Sequence, residues 1–335
     1  MTSQGGASRP ATGRPAESPT EEGAAKAGPL AMTEERNPRT LSIDEVPTLE
    51  VLYLLNAEDS LVPAAVAAVL PQLAQLVDAA LPRLSSGGRL HYFGAGTSGR
   101  IAMLDAAELP PTFGVAADFA TAHIAGGDPA IRSTVEDAED DREAGRAAAG
   151  PVGPEDVAIG VSASGSAPYV AAAMTAARQR GALTALVSSR PGCALGDQLD
   201  FHLAVDTGPE ALTGSTRLKA GSAAKLVLNG FSTAIMVRLG HCYSNVMVDV
   251  VPSNHKLRER LVRMLVQVTG SEEAHCRQAL VSADGDVKVA LVSMLSGAGP
   301  RPARDALAQV GGQVRQALAG LEAGPTGGAT RRPSN

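Results

Sequence analysis

The sequence predicts an α/β fold in which a doubly wound parallel sheet is flanked by helices and followed by a small helical domain. Short β-rich runs recur at residues 88–96, 156–165, 182–189 and 200–206. Most of them end in a Gly or Ser turn and are followed by an Ala-rich helical stretch, which is the order of βα units in a parallel sheet. After residue 254 the apolar spacing is helical only.

Composition indicates a globular protein with a small polar ligand. The chain has 335 residues, 44% of them hydrophobic, which predicts about two domains with a sizeable core. Its formal net charge of −6 gives no basic field for DNA or RNA, so we expect no nucleic acid partner. Aromatic residues make up 3% and Trp is absent, which removes the stacking surfaces used by many single-strand and polysaccharide binders.

Cysteine usage and hydropathy predict a cytoplasmic protein. The three cysteines lie far apart with no C-x-x-C spacing, so neither a disulfide framework nor a zinc site is expected. The most apolar long stretch, residues 61–81, is interrupted by Pro71 and Asp78, which a lipid-exposed span would tolerate poorly. The N-terminus has neither the basic-then-apolar order of a secretory signal nor the acid-poor composition of a transit peptide. We therefore expect no membrane partner.

The elements before the sheet are predicted in chain order. Residues 1–31 are rich in Gly, Ala, Pro, Ser and Thr without apolar periodicity, so we expect a disordered tail whose role the sequence does not indicate. Helical spacing follows at residues 40–59 and 61–84, with Asp44 and Asp59 available as N-caps. Two helices should therefore precede the first strand.

The elements after the sheet are helical. A long helix is predicted at residues 217–240, and it completes a main domain that spans residues 32–254. Residues 255–298 carry several short helical patterns and predict a small bundle. Residues 299–335 are expected to form a partly disordered C-terminal extension.

Two hydroxyl-rich turns at predicted strand ends are candidate phosphate sites. The turn "GAGTSGR" supplies Gly96, Thr97 and Ser98, and the turn "VSASGSAP" supplies Ser162, Ser164 and Ser166. A helix start presents unpaired N–H groups and the positive end of its dipole, so nearby hydroxyls could complete a phosphate site without lysine. Simple N-capping by serine is the alternative.

The first turn also matches a dinucleotide-binding pattern. Gly94, Gly96 and Gly99 fit G-x-G-x-x-G, which requires an acidic residue about 20 positions later at the end of the next strand. Asp118 falls near that position, but the strand signal around it is weak. We therefore interpret Thr97 and Ser98 as ligand donors in their own right.

A third hydroxyl-rich segment begins the long helix. Ser215 and Lys219 stand in "TGSTRLKAGSAAK", where an anion or a sugar hydroxyl could be bound. A capped helix start with solvated basic residues explains the same spacing equally well.

Two carboxylates are candidates for acid and base chemistry. Pro110 is expected to end its helix at about Leu109, which puts Glu108 in the last turn near the negative end of the dipole. If it is also buried, Glu108 should hold its proton more tightly than in water and suit a general acid; an ordinary surface Glu is the alternative. Glu139 belongs to an acidic run at residues 136–143, where spacing alone favours a solvated helix face.

Several segments together resemble the N-acetylmuramic acid 6-phosphate etherase family. They include "GGRLHYFGAGTSGRIAMLDAAELPPTFG", "IAGGDPAIRSTVEDAEDD", "GPEALTGSTRLKAGSAAKLVLNGFSTAIMVRLG" and "YSNVMVDV", and the resemblance extends over residues 33–296. It implies a sugar isomerase (SIS) fold, a homodimer without metal or other cofactor, and a C-terminal module similar to a ubiquitin-associated (UBA) domain. The glucokinase regulatory protein is a distant relative with the same fold.

The resemblance also implies an activity and assigns the carboxylates. It indicates a lyase that removes D-lactate from the sugar phosphate by elimination and then hydration, leaving N-acetylglucosamine 6-phosphate. Glu108 would be the proton donor to the lactyl oxygen, and Glu139 the base at C2. A non-enzymatic sugar-phosphate sensor and a sugar-phosphate isomerase are the alternatives that the same fold allows.

The resemblance is imperfect at the second turn. Related chains commonly read "ASGRTPY", whereas this chain reads "ASGSAPY". Ala167 removes a hydroxyl that SIS domains generally direct at phosphate, and Ser166 is the residue that could compensate. His255 could reach the site of a partner subunit, although a plain surface histidine fits its position better.

Overall fold

A five-stranded parallel sheet is the centre of the computed structural model, which describes residues 34–250 and 255–323. The strands are β1 Leu90–Gly94, β2 Ala120–Ile124, β3 Val157–Val161, β4 Leu183–Ser188 and β5 Phe201–Ala204. Their spatial order is β2-β1-β3-β4-β5. The chain therefore adds β2 on one side of β1 and all later strands on the other side, and the switch point lies between β1 and β3. The four predicted strands are confirmed with shorter bounds. The weak strand signal after Asp118 becomes β2 at the sheet edge.

Helices cover both faces of the sheet, as predicted. They are α1 Thr48–Asp59, α2 Val62–Ser85, α3 Gly96–Phe113, α4 Pro129–Arg132, α5 Arg142–Ala148, α6 Pro168–Gln179 and α7 Lys219–Arg238. On β1, Leu90 and Tyr92 enter a core with α2, α3 and α7, whereas Phe93 enters a second core with α6. This alternation follows from the two-residue period of a strand and fixes the doubly wound arrangement.

The two helices before β1 are confirmed, but their predicted N-caps are wrong. Pro47 occupies the N-cap of α1, and Leu61 that of α2, and neither makes a side-chain capping bond. Asp59 is the last residue of α1, while Asp44 lies in a turn before it. Proline just inside the start of α2 already has helical φ, so the helix begins without a capping carboxylate.

Helix α3 continues through Pro110 and Pro111 to Phe113, so the predicted end at Leu109 is wrong. Gly114, with φ of 66°, ends it and donates its N–H to the Pro110 carbonyl at 2.9 Å. An interior proline costs about 3 kcal/mol through a lost hydrogen bond and a ring clash. Burial of Leu109 and Phe113 in the core offsets that cost.

A second hydrophobic cluster lies in the C-terminal region. A short hairpin, β6 Cys242–Tyr243 and β7 Val246–Met247, is followed by the helices α8 His255–Thr269, α9 Glu273–Ser282, α10 Val287–Ser296, α11 Pro300–Gln309 and α12 Val314–Glu322. Leu307 and Val314 belong to the same buried cluster as Leu265 and Leu291. The helical region therefore extends beyond the predicted bundle boundary at residue 298.

Some predictions fall on residues outside the described ranges. The expected tail at residues 1–31 and the last dozen residues of the chain are among them. His255 begins α8, but its side chain is also outside the described part of the structure.

Within residues 34–250 and 255–323, two apolar stretches have the length and composition of membrane spans. They are Thr48–Ser85, which covers α1 and α2 and has mean hydropathy 1.7 over 18 of its residues, and α7, which has mean hydropathy 1.2 over 18 of its residues. More than half of α7 is buried against other parts of the chain. Core helices of water-soluble domains have the same properties, so length and hydropathy do not assign either stretch to a membrane.

Two histidines on neighbouring strands form a pair in which His91 is buried and His123 is partly buried. His91 Nδ1 of β1 lies 3.1 Å from His123 Nε2 of β2, and Asp156 Oδ2 lies 3.5 Å from His91 Nε2. Burial is the main reason that the pKa of His91 is lowered and that the pKa of His123 is lowered to about 4, with His91 as a second cause for His123. The folded state therefore resists protonation of these rings.

The histidine pair predicts a pH-dependent stability. In the unfolded chain a histidine binds its proton at about pH 6.5, but in the folded chain His123 does so only near pH 4. The contribution of neutral His123 to the stability of the folded state is therefore complete above pH ~6.5 and is lost as the pH falls toward 4. We expect the free energy of unfolding to fall by roughly 2 kcal/mol between about pH 7 and about pH 5. Urea titrations check this; His123→Gln should flatten the slope, and an unchanged slope would contradict it.

Candidate functional site

The candidate site is a cleft at the carboxyl ends of β1 and β3, where the strand order reverses. In open α/β sheets this crevice is the expected ligand position. The cleft has a volume of about 270 Å³. Its lining consists of Glu34, residues 95–98, Glu139, residues 161–164, Ala167, Gly214 and Thr216. Five of the predicted binding residues, Gly96, Thr97, Ser98, Ser162 and Ser164, are therefore brought together with Glu139.

The first turn places the start of α3 against the cleft. A Cβ on Gly94 would lie 2.6 Å from the Gly99 nitrogen, so only glycine allows the chain to fold back this tightly. Gly96 has φ of 51°, which also favours glycine. The first N–H groups of α3 have no acceptor within the helix and lie beside the hydroxyls of Thr97 and Ser98. The turn therefore offers hydrogen-bond donors and the positive end of a helix dipole.

The second turn brings the start of α6 to the same cleft. Ser162 is buried and its N–H donates to the Val187 carbonyl at 3.0 Å, which fixes the turn to β4. Ser164 lines the cleft, but Ser166 does not. Instead, the Ser166 hydroxyl donates to Ser164 Oγ at 2.9 Å. Ser162 and Ser164 are thus the hydroxyls that this turn offers to a ligand in this cleft.

The third segment contributes less than predicted. Gly214 and Thr216 line the cleft, while Ser215 between them does not. Lys219 is completely buried, and its ammonium lies 2.7 Å from Glu58 Oε2. The prediction that Lys219 binds substrate is therefore not supported: its charge is committed to Glu58, 161 positions away in sequence.

Lys219 and Glu58 belong to a buried ion-pair network. Glu58 also accepts bonds from Arg39, at 2.5 Å to Nε and 2.8 Å to Nη2. The Arg39 hydrogen bond is the main reason that the pKa of Glu58 is lowered to about 2. The backbone N–H groups of Lys219 and Ala220 donate to Glu210 at 3.0 Å each. Lys219 therefore anchors the start of α7 to α1.

Removing the charge of Glu58 should destabilise the fold. In Glu58→Gln, the ammonium of Lys219 stays buried without the carboxylate that it contacts at 2.7 Å, and we expect a loss of about 3–5 kcal/mol in the free energy of unfolding. Denaturant titration measures it. Glu50→Gln, an exposed change on the same helix, is the matched control and should change stability by less than about 0.5 kcal/mol. Equal stability of the two variants would contradict the structural role.

Glu139 lies on a short 3₁₀ helix, Ala138–Asp140, and not on the solvated helix face that the acidic run suggested. Asp137, with φ of 56°, turns the chain before it. Asp141 after it caps α5, because its Oδ1 accepts the Ala144 N–H at 2.8 Å. Glu139 is exposed to solvent at the edge of the cleft.

Arg100 holds the segment that leads toward Glu139. Its Nε donates to the carbonyls of Ala130 and Ile131 at 3.0 and 3.1 Å, and its Nη2 donates to the Ser133 carbonyl at 3.0 Å. The arginine of "GAGTSGR" therefore joins the first turn to the loop that carries the candidate base. It does not line the cleft.

Glu108 is not in the cleft of its own chain. It follows Thr97 by eleven residues on α3, which at 1.5 Å per residue is about 16 Å along the helix. Its side chain is exposed, so the burial that the sequence-based prediction required is absent in the single chain. Leu104, one turn earlier on the same face, is 52% exposed. Glu108 and Glu139 therefore do not meet within one protomer.

Glu34 is a lining carboxylate that the sequence reasoning missed. Its Oε2 lies beside Gly214, 3.1 Å from the position that a Cβ there would take. Glu34 precedes the first helix, where neither periodicity nor a strand end marks a residue as part of a site. Within the cleft as described, Glu34 and Glu139 are the charged side chains, and no His or Cys lines it. Residues 34–250 and 255–323 contain no group of three or more His, Cys, Asp or Glu side chains that could hold a metal ion.

Comparison with known proteins assigns the chain to a family. It is 55% identical over 266 residues to the N-acetylmuramic acid 6-phosphate etherase of Thermobifida fusca (strain YX), covering 79% of this chain and 88% of that protein. Etherases of the same name from Cutibacterium acnes (strain DSM 16379 / KPA171202) and Mesorhizobium japonicum (strain LMG 29417 / CECT 9101 / MAFF 303099) are 48% and 45% identical, covering 86% and 89% of this chain and 96% and 98% of theirs. The chain belongs to the N-acetylmuramic acid 6-phosphate etherase family. Residues 72–178 also match the glucokinase regulatory protein N-terminal SIS domain.

For an N-acetylmuramic acid 6-phosphate etherase family member, this chain departs from the expected pattern on one side of the cleft. Ala167 lines the cleft with a methyl group at the position where the resemblance implies a phosphate-binding hydroxyl. Ser166 does not replace it, because Ser166 lies outside the cleft lining. The hydroxyls of this turn that line the cleft are those of Ser162 and Ser164.

Proposed function

We propose that the chain is a lyase that cleaves the D-lactyl ether of N-acetylmuramic acid 6-phosphate and yields N-acetylglucosamine 6-phosphate and D-lactate. The observation that carries the proposal is the cleft in which Glu139 lies beside the starts of α3 and α6. Relatives named as this etherase, at 45–55% identity over most of the chain, support the same reaction.

The phosphate of the substrate would be held by hydroxyls and backbone N–H groups. Among the described residues, no Lys or Arg lines the cleft, so attraction must come from the helix starts and from Thr97, Ser98, Ser162 and Ser164. Two helix dipoles directed at one anion substitute for a positive side chain. This arrangement suits a phosphate monoester, which offers several acceptor oxygens to such donors.

The chemistry requires one base and one acid. In the open-chain sugar the C1 aldehyde acidifies the C2 proton, and the Glu139 carboxylate would remove it. The C3–O bond then breaks as Glu108 donates a proton to the lactyl oxygen, leaving a C2–C3 double bond conjugated with the aldehyde. Water adds back at C3, its proton taken by the carboxylate of Glu108, while C2 is reprotonated by Glu139. Both carboxyl groups thus return to their starting states.

We propose that a homodimer brings Glu108 to the cleft. Leu49, Leu52 and Tyr53 of α1 are each more than half exposed, as is Leu104 beside Glu108, and unpartnered apolar residues are typical of an interface. The cleft of one chain is slightly below the range of about 300–1,000 Å³ that is usual for small-molecule sites. A partner that supplies Glu108 would complete both the cleft and the acid–base pair.

Incubation with N-acetylmuramic acid 6-phosphate tests the proposal. We expect equal amounts of D-lactate and N-acetylglucosamine 6-phosphate, measured by a lactate dehydrogenase assay and mass spectrometry. A sugar-phosphate sensor or an isomerase on this fold would release no lactate, so its absence would overturn the proposal. We also propose that the enzyme works in the cytoplasm without metal, other cofactor, nucleic acid or membrane; unchanged activity after chelation checks the metal-free part.

A further inference from the structure

A second and larger cleft lies on the other side of the second turn. Its volume is about 700 Å³, within the range of about 300–1,000 Å³ that is usual for small-molecule sites. It lies between α5, α6 and the segment that follows β4. We call it the arginine cleft after Arg142, Arg146 and Arg190, which line it.

The arginine cleft has an unbalanced positive charge. Arg142 and Arg146 are four residues apart on α5, so they occupy one face of that helix, and Arg190 follows β4. No carboxylate from the described part of the chain lines the cleft. Among the described residues, the three guanidinium groups have neither an ion-pair partner nor a hydrogen-bond acceptor. In a chain of net charge −6, three unpaired arginines around one concavity are complementary to an anion.

The uncharged lining restricts the kind of anion. Ala171, Ala172 and Ala176 of α6 form a small-residue wall, and the polar groups are hydroxyls and amides such as Ser166, Thr175 and Gln179. The described residues that line the cleft include no aromatic side chain, so they offer no stacking surface to a nucleobase. A compact phosphorylated compound with hydroxyl groups fits this lining better than a nucleotide does.

The arginine cleft and the candidate catalytic cleft share one wall. Gly165 and Ser166 line the arginine cleft, whereas Ser164 and Ala167 line the catalytic cleft. The Ser166 hydroxyl donates to Ser164 Oγ at 2.9 Å, and the Ser166 N–H lies 3.3 Å from the same atom. If the Ser166 hydroxyl donated its hydrogen bond to a bound anion, Ser164 Oγ would lose one of the two hydrogen bonds that it accepts.

We propose that the arginine cleft is a second anion-binding site, which takes a small phosphorylated compound and alters the catalytic cleft through Ser166 and Ser164. The binding step stands independently of the reaction catalysed. The effect on turnover rests on the proposed etherase activity. The two steps are therefore measured separately.

Calorimetric titration with inorganic phosphate at constant ionic strength tests the binding step. The parent protein should bind phosphate at two sites per chain. Substituting Arg142, Arg146 and Arg190 together by Gln should weaken one site about tenfold or more and leave the other within about twofold. Substituting the exposed Arg178, Arg258 and Arg301 by Gln gives the same net charge and should retain both sites. We call the variant with Arg142, Arg146 and Arg190 changed the cleft variant. Phosphate binding that is undiminished in the cleft variant would overturn the proposal, whereas a single parent site that the cleft variant weakens would concern the candidate catalytic cleft alone.

The turnover number tests the coupling step. At saturating substrate, phosphate no longer competes in the catalytic cleft, so a change in kcat reports binding elsewhere. We expect phosphate to change the kcat of the parent by about twofold or more and to leave the kcat of the cleft variant unchanged. Without phosphate, the two proteins should have the same kcat. An identical phosphate response in parent and variant would refute the coupling, whereas absence of lactate release in both would concern the proposed function alone.

Discussion

Glu139→Gln is expected to lower kcat/KM for lactate release by about 10²–10⁴-fold, or roughly 3–5 kcal/mol of transition-state stabilisation. The amide keeps the shape of the side chain at the cleft edge but cannot accept the C2 proton. Exchange of that proton with deuterated water should stop for the same reason. Proton NMR of the recovered sugar phosphate measures the exchange, and the lactate assay measures turnover.

The acidic run supplies matched controls for this variant. Glu136 and Asp140 are exposed on the same loop but do not line the cleft. Glu136→Gln and Asp140→Asn should therefore keep activity within about twofold, since exposed changes away from a site have small effects. Full exchange in Glu139→Gln would reject Glu139 as the base. Loss of exchange in Glu34→Gln with retention in Glu139→Gln would reassign the base to the other carboxylate of the cleft.

The central strands could be predicted because their environment is uniform. Every residue of β1, β3 and β4 is buried, because helices cover both faces of these strands. A strand in this environment has a short and almost continuous apolar sequence, which is easy to recognise. The edge strand β2 is only partly buried along its middle and carries His123, which weakened its signal. Local rules failed at Pro110, where burial of Phe113 decides that α3 continues.

The candidate site was predictable only where it is built locally. Thr97 and Ser164 sit at junctions between a strand and the following helix, and such junctions are recognisable from short sequence windows. Glu34 lines the cleft from the N-terminal segment, whereas Lys219 does not line it because its ammonium binds Glu58. Both placements depend on contacts between residues far apart in sequence. The spacing of residues within a short sequence window contains no information on such long-range contacts.

Mixed dimers decide whether Glu108 acts in the partner's cleft. Glu108→Gln and Glu139→Gln homodimers should each be nearly inactive. In a mixed dimer, the Glu108→Gln chain supplies an intact Glu139 and the Glu139→Gln chain supplies an intact Glu108, so one of the two shared clefts is complete. Random pairing of equal amounts makes about half of the dimers mixed, and we expect about a quarter of the parent activity. Co-expression with two affinity tags allows the mixed species to be purified and assayed.

The same experiment separates the alternatives because they predict opposite outcomes. If Glu108 acted in its own chain, neither cleft of a mixed dimer would hold both carboxylates, and mixing would restore nothing. The exposed position of Glu108, about 16 Å along α3 from Thr97, argues against that arrangement. Leu104→Lys, which puts a charge on the exposed apolar face beside Glu108, should shift the dimer toward monomer in light scattering and reduce turnover in parallel. A fully active monomer would show instead that one chain holds the complete acid–base pair, and Glu34 would then be the carboxylate positioned to replace Glu108.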